Sequence, residues 1–319
     1  MSALASDTLA GLLKLNDLNN ADINVTDLLQ AAPVIQSMAA VPASQGGTKH
    51  MYMKETGATG AEFRDVNTGI LNAASQDEQV TVDLKFIDGS FTRDVALADA
   101  YKDGRAAYME KEVMRSIRNL FASMEKNLLQ GTGGVTGTGF TGFPDNALVD
   151  GLSDTMVVNA TGNGGQSVWF AKTAEDAVAI IAGNDGRIDF NYDPDKLVYI
   201  QTVASATPAS QRGYMALAAA LSGYFGVQYG NIYGLGRICN LDGTEGKTLT
   251  DGMIADMLAK FPVSSFPNVA IMSRSALAQL QKSRTAVNAT GAEAPFPTEV
   301  FGVPIIVSDH VKLDESAIS

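Results

Sequence analysis

The chain has 319 residues, 45% of them hydrophobic and 18% charged, and its 23 Lys and Arg against 35 Asp and Glu leave a formal charge of −12. That length covers two ordinary domains of ~100–200 residues with a substantial core, while the acidic excess disfavours a non-specific grip on nucleic acid or an anionic membrane. The single cysteine, Cys239, excludes an intrachain disulfide framework and any multi-thiolate metal site, and reads as a small core residue in a reducing compartment.

The N-terminal stretch "MSALASDTLAGLLKLNDLNN" has no basic segment followed by an apolar core, so it is not read as a secretory signal. No run approaches the ~18 uninterrupted apolar residues of a membrane span. The longest candidate, "YMALAAALSGYFGVQYG", follows Gln211 and Arg212 and is broken by Gly223 and Gly226. A soluble, cytoplasmic product is expected.

Residues 1–45 carry two short helical patterns. Thr26 is placed to cap a turn leading to Leu28, Leu29, Val34, Ile35 and Met38, with Pro33 forcing a restart or a kink. So little apolar surface does not fold alone, and the arm is expected to pack on its own body or on a neighbouring copy.

From about 49 to 98 the pattern is that of strands: "TKHMYMKETG", "EFRDVNTG" and "QVTVDLKFIDGSFTRDVAL", with a polar tip at "NTGILNAASQDEQ". Asp88-Gly89 is either a hairpin turn or a bulge within one longer strand. A two-stranded excursion of this kind is marginal in water and needs a partner surface.

The strongest helix follows in "YKDGRAAYMEKEVMRSIRNLFASMEKNLLQG". Met109, Val113, Ile117, Leu120, Phe121, Met124 and Leu128 form one apolar stripe. Glu110, Lys111, Glu112, Arg115, Arg118, Glu125 and Lys126 are assigned mostly to other faces, and Gly131 ends the helix. At 1.5 Å per residue it spans roughly 35–45 Å.

A Gly/Thr-rich loop, "GTGGVTGTGFTGFPDN", comes next, then strand-like runs at "SVWFA", "KLVYI" and "YFGVQYGNIYGLGRICNLDG", helices at about 251–261 and 274–284, and a closing strand "FGVPIIVSDH". "TAEDAVAII" reads equally as a helix start or as a turn and strand. Strands and helices without regular alternation predict an α+β fold.

Candidate chemistry is sparse. Gly137, Gly139 and Gly142 have GxGxxG spacing, but a helix precedes them and no helix follows, so a flexible connection is the favoured reading. "DFNYDPD" spaces Asp189, Asn191, Asp193 and Asp195 like a calcium loop, yet Pro194 and Ile200 stand where glycine and glutamate are needed, which leaves a polar turn. Ser308, Asp309 and His310 are sequence neighbours on an extended segment, pointing to opposite faces, and form no relay. Asn24, Asn159 and Asn288 match the glycosylation pattern and, without a signal segment, read as chance matches or caps. No catalytic set, metal site or cofactor is implied.

A polar-tipped β-excursion, a long strut helix and then "LLQGTGGVTGTGFTGFPD" is an order that resembles tailed-phage major capsid proteins of the Hong Kong 97 fold. The resemblance continues through "QSVWFA", "VAIMSRSALAQLQKSR" and "FGVPIIVSDHV". It implies residues 1–50 as an N-terminal arm, 51–98 as an extended β-hairpin loop, and 99–165 as a peripheral domain with the spine helix. Residues 166–319 are then the axial domain plus returning peripheral strands.

By the same resemblance the chain is a structural protein, not an enzyme. It self-assembles as pentamers and hexamers into an icosahedral shell around phage double-stranded DNA, in the bacterial host cytoplasm. The arm is too short to be a scaffolding extension, so scaffolding, if the shell requires it, is expected to be a separate protein; portal, scaffolding or decoration proteins are the candidate partners. The acidic balance predicts an inner surface that is neutral to acidic, without a broad basic lining. A cellular nanocompartment shell resembling encapsulins is the alternative, and a soluble hydrolase or nucleotide-binding enzyme the distant one. Lys85, Asp88, Arg93 and Asp94 are the candidate intersubunit contacts.

Overall fold

The computed structural model describes residues 14–15, 30–44, 47–57, 63–69, 76–131, 138–203, 212–288 and 292–318. Thr26, Asn24, Gly137 and residues 70–75 of the polar tip lie outside the described residues.

The first elements are β1 (Lys14–Leu15), α1 (Pro33–Ser37), β2 (Ala39–Pro42), β3 (Lys49–Gly57), β4 (Gln76–Asp83), β5 (Lys85–Asp88) and β6 (Phe91–Asp94). Two helices follow, α2 (Val95–Asp99) and α3 (Gly104–Gln130). The rest comprises β7 (Val157–Asn159), β8 (Gln166–Ala171), β9 (Val178–Ala182), β10 (Arg187–Val203), β11 (Arg212–Tyr229), β12 (Leu235–Leu241), α4 (Asp251–Leu258), β13 (Val269–Met272), α5 (Arg274–Ala286), β14 (Glu299–Val300) and β15 (Val303–Val307). Among the described residues no helix is long and apolar enough to cross a membrane.

Three sheets result. One has six strands in the order β14-β15-β13-β8-β12-β7, one has seven, and β3 and β4 pair only with each other. In the six-stranded sheet every residue of β8, β12 and β13 is buried, which is why their sequences are apolar runs and not alternating patterns. β15 enters through Phe301 and Gly302, both in the left-handed region, and Pro304 sits on the β14 side, where it pairs with Glu299.

The seven-stranded sheet is organised by β11, an 18-residue strand. β10 and β9 share one of its edges, and β5 and β6 share the other. Asp88 pairs with Ser222 and Phe91 with Ala219, so the register passes through Gly89–Ser90 without a slip. Asp88-Gly89 is therefore neither a hairpin turn nor an inserted bulge residue. The Gly89 N–H donates to the Leu221 carbonyl at 2.7 Å, and the Ser90 hydroxyl accepts from the Leu221 N–H at 3.1 Å.

The segment "DFNYDPD" is corrected from a turn to part of β10. Its pairing with β11 jumps from Tyr192/Ala219 to Leu197/Leu217, so four residues, including Pro194, stand opposite one. "TAEDAVAII" resolves as a turn followed by β9, which is buried throughout.

Pro33 starts α1 afresh at its first turn, as the fixed proline φ allows. Val34, Ile35 and Met38 are buried in the main core and β2 pairs in parallel with β9, so residues 33–42 belong to their own subunit's body. Helix α3 buries the predicted apolar stripe but also Glu112, Glu125 and Asn127, a departure from the expectation that its charged residues lie elsewhere. Part of the glycine loop is fixed to this helix. A Cβ on Gly142 would stand 2.5 Å from the Asn127 carbonyl oxygen, and the Asn127 side-chain amide donates to the Phe140 carbonyl at 2.6 Å. Residues 138–142 are thus a close-packed contact, not a flexible connection. Cys239 is fully buried.

Candidate assembly surface

The β3–β4 ribbon is held at its base. His50 is buried, and its Nδ1 accepts from the Ser44 N–H at 3.2 Å, which leaves the proton on Nε2 to donate to Gln228 Oε1 at 2.9 Å. Gln228 in turn donates to the Glu175 carbonyl at 2.8 Å. The Tyr52 hydroxyl donates to the Tyr229 carbonyl and accepts from its N–H, both at 3.3 Å. Burial pushes the Tyr52 phenol up, against the opposing pull of the Tyr229 backbone.

Past these anchors the ribbon is open. Met53 is 60% exposed, and Asp77, Glu78 and Gln79 are exposed on the partner strand. Beyond β3, Phe63 and Val66 are exposed as well. An apolar side chain left in water gains nothing until another surface covers it.

The four candidate contacts sit along β5 and β6. Arg93 donates from Nε and Nη2 to Glu112 Oε2 at 2.8 and 2.5 Å, and its guanidinium lies 5.5 Å from the Phe91 ring centroid. Glu112, on the buried side of α3, also accepts from Arg115 at 2.6 Å. Burial pushes the Glu112 carboxyl up, but the two guanidinium groups outweigh it and hold the group below its usual range.

Asp94 caps α2 by accepting from the Ala96 N–H at 2.9 Å. Asp88 accepts from the Ser90 N–H at 2.8 Å, and the Ser90 hydroxyl is the main cause that lowers its pKa. Three of the four therefore have partners inside their own chain. Lys85 is exposed, with no ion-pair partner among the described residues. It flanks a groove of about 290 Å³ lined by Phe86, Met124, Phe140 and Phe225.

Two buried polar networks went unread in the sequence. Glu125 accepts from the N–H groups of Val34 and Ile35 at 2.8 and 3.3 Å and from the Ser308 hydroxyl. One carboxylate thus joins the arm, the long helix and the segment after β15. Burial pushes its pKa up, and these hydrogen bonds only partly offset that. Its position four residues after Phe121 and three before Leu128, in phase with the apolar stripe, was the available signal.

Arg237 lies on β12 opposite Trp169, its guanidinium 4.6 Å from the ring centroid. It donates to Glu315 at 2.9 Å, to Ser167 at 3.0 Å and to the Val149 carbonyl at 3.2 Å. Ser308 and Glu315 are thereby scaffold residues. Among the described residues no group of His, Cys, Asp and Glu is arranged to hold a metal ion.

A family model described as major capsid protein GP7 matches residues 17–319. No curated protein matches. The near-atomic structure of bacteriophage epsilon15 is similar with a TM-score of 0.61 at 18% identity, over 88% of this chain and 88% of that one. The bacteriophage JBD30 capsid is similar with a TM-score of 0.50 at 10% identity, over 92% of this chain and 95% of that one. Neither a cellular compartment nor an enzyme is favoured by these likenesses. With the Hong Kong 97-type α+β fold and a family match over nearly its full length, the chain belongs to the major capsid protein GP7 family and is a structural subunit of a bacteriophage capsid.

Proposed function

We infer that copies of this chain associate as pentamers and hexamers and close into an icosahedral shell that encloses double-stranded DNA, assembled in the host cytoplasm. The observation that carries this reading is the β3–β4 ribbon, tied to the body at His50 and Tyr52 and uncovered beyond them. Many modest interfaces repeated around closed symmetry sum to a durable shell even where each is weak. The division into arm (1–50), extended loop (51–98), peripheral domain (99–165) and axial domain with returning strands (166–319) belongs to this proposal. Portal, scaffolding and decoration proteins are its proposed partners.

Among the four candidate contacts, Lys85 is the one whose charge is free for a neighbouring copy. Asp88, Arg93 and Asp94 act first on β5, β6 and α2, and bear on assembly by fixing the surface that Lys85 projects from. The test is expression of the full chain alone and together with its neighbouring genes, followed by sedimentation and negative-stain microscopy. Closed shells, or rings of five and six, are the expected result. A chain that stays monomeric under both conditions overturns the reading.

A further inference from the structure

Net charge and charge placement are different quantities, and in this chain they disagree. On α3 the side chains of Lys111, Arg115, Arg118 and Lys126 are all exposed. At 3.6 residues per turn these positions fall within about 80° of the helix circumference, a straight stripe about 22 Å long. Glu110, the exposed acid of this helix, lies about 100° round from Lys111. The other two acids of α3, Glu112 and Glu125, are buried. A protein with a formal charge of −12 thus presents one helix face on which the exposed charges are all cationic.

Two further features bear on what meets this face. Arg115 is pre-positioned: Glu112, itself held by Arg93, fixes one Arg115 nitrogen at 2.6 Å and leaves the rest of the guanidinium facing out. Apart from Tyr101 and Tyr108, half-buried against each other at its N-terminal end beneath Lys111, the stripe also lacks the anchors of a protein interface. None of the large exposed apolar side chains belongs to α3, and Ala122 is the residue between Arg118 and Lys126 on this face. Protein–protein hot spots are built from buried aromatic and apolar anchors, whereas a phosphate backbone asks only for spaced cations.

We propose that this face of α3 is a nucleic-acid contact, binding the phosphate backbone of duplex DNA without reading its sequence. The Lys111–Lys126 stripe releases condensed counterions locally, while the acidic remainder of the subunit keeps the contact weak per copy. A regular array of copies sums those weak contacts through effective concentration. The proposal rests on the shell reading only for the identity of the polyanion as DNA, and binding in solution tests it whether or not shells form.

The test uses the full chain and a duplex of about 30 base pairs of arbitrary sequence, titrated by fluorescence anisotropy from about 25 to 200 mM salt, with self-assembly followed separately by sedimentation. Four phosphate contacts predict a slope of log K against log salt of about −3 to −4, a loss of about 10²-fold between 50 and 200 mM. R118Q/K126Q removes two cations that have no ion-pair partner among the described residues, so it leaves the fold intact and reduces the slope by about 2. K282Q, on the exposed surface of α5, leaves the slope unchanged. Absence of salt-dependent binding at the lowest salt overturns the proposal, as does an unchanged slope in R118Q/K126Q. Loss of self-assembly in that variant with its DNA slope intact assigns the stripe to a second copy instead, and equally overturns it.

Discussion

The six-stranded sheet and the β3–β4 ribbon are both made of short paired strands, and they differ in what covers them. β8, β12 and β13 are buried at every position, with Trp169 packed against Phe143 and beneath Arg237. The ribbon has a nine-residue and an eight-residue strand paired only with each other, two anchors at its base, and Met53 in water. An isolated two-stranded ribbon is marginal alone. The subunit's own stability therefore resides in the sheet, and the ribbon is surface that the subunit leaves for assembly to cover.

The largest expected effect breaks the covered side of this contrast. Trp169→Ala removes a fully buried indole and the platform under Arg237, and is predicted to cost ~3–5 kcal/mol in urea denaturation of the unassembled chain. The matching truncation in the ribbon, Met53→Ala, is predicted to stay within about 0.5 kcal/mol.

Next comes Glu125. E125A leaves the Val34 and Ile35 N–H groups without their acceptor, at ~1–3 kcal/mol for each buried group left unsatisfied, whereas E125Q keeps an oxygen toward α1 and an amide toward Ser308. Because burial raises the native pKa of Glu125, its favourable contribution is complete below the unfolded value of about 4.3 and is lost as pH rises through the native value. E125Q therefore gains on the parent chain as pH rises from the ordinary carboxylate range through the raised native value, as read from denaturation midpoints. Glu112, on the same helix, has the opposite sign. Its pKa is lowered, so its contribution is present above the ordinary carboxylate range and is lost as pH falls through the native value.

Smaller effects sharpen the ribbon side. Tyr52→Phe removes the hydroxyl that bonds both backbone groups of Tyr229 and is predicted to cost ~1 kcal/mol locally. Amide exchange in β3 and β4 speeds up while that of β8 and β12 is unchanged. Lys85→Ala is predicted to leave the stability of the unassembled chain within about 0.5 kcal/mol and to weaken self-association measured by sedimentation.

Much of this division was legible in the sequence. The stripe from Met109 to Leu128 gave the long helix and Cys239 read correctly as core, while the coreless excursion read over 49–98 is the β3–β4 ribbon only as far as Asp83, because β5 and β6 pair with β11 in the seven-stranded sheet. Local signals misled where tertiary pairing decides. Asp88-Gly89 has turn chemistry but lies flat along β11, and "DFNYDPD" has turn composition but is the irregular middle of β10.

The polar networks were least legible. Arg237 and Glu315 are separated by 78 residues, and Glu125 and Ser308 by 183, so no local spacing links them. The four candidate contacts were chosen for charge on an extended segment. Sequence could not show that Arg93 turns inward to Glu112, because that partner is set by how α3 packs against β6, whereas the Asp94 cap on Ala96, two residues on, was a local signal that went unread.

The most direct test of the central claim is hydrogen–deuterium exchange on the same protein before and after assembly. The account predicts that amides of Lys49–Gly57 and Gln76–Asp83 gain protection on assembly while those of β8, β12 and β13 are equally protected in both states. Ribbon amides that exchange alike in free and assembled protein, or sheet amides that become protected only in the shell, would contradict it.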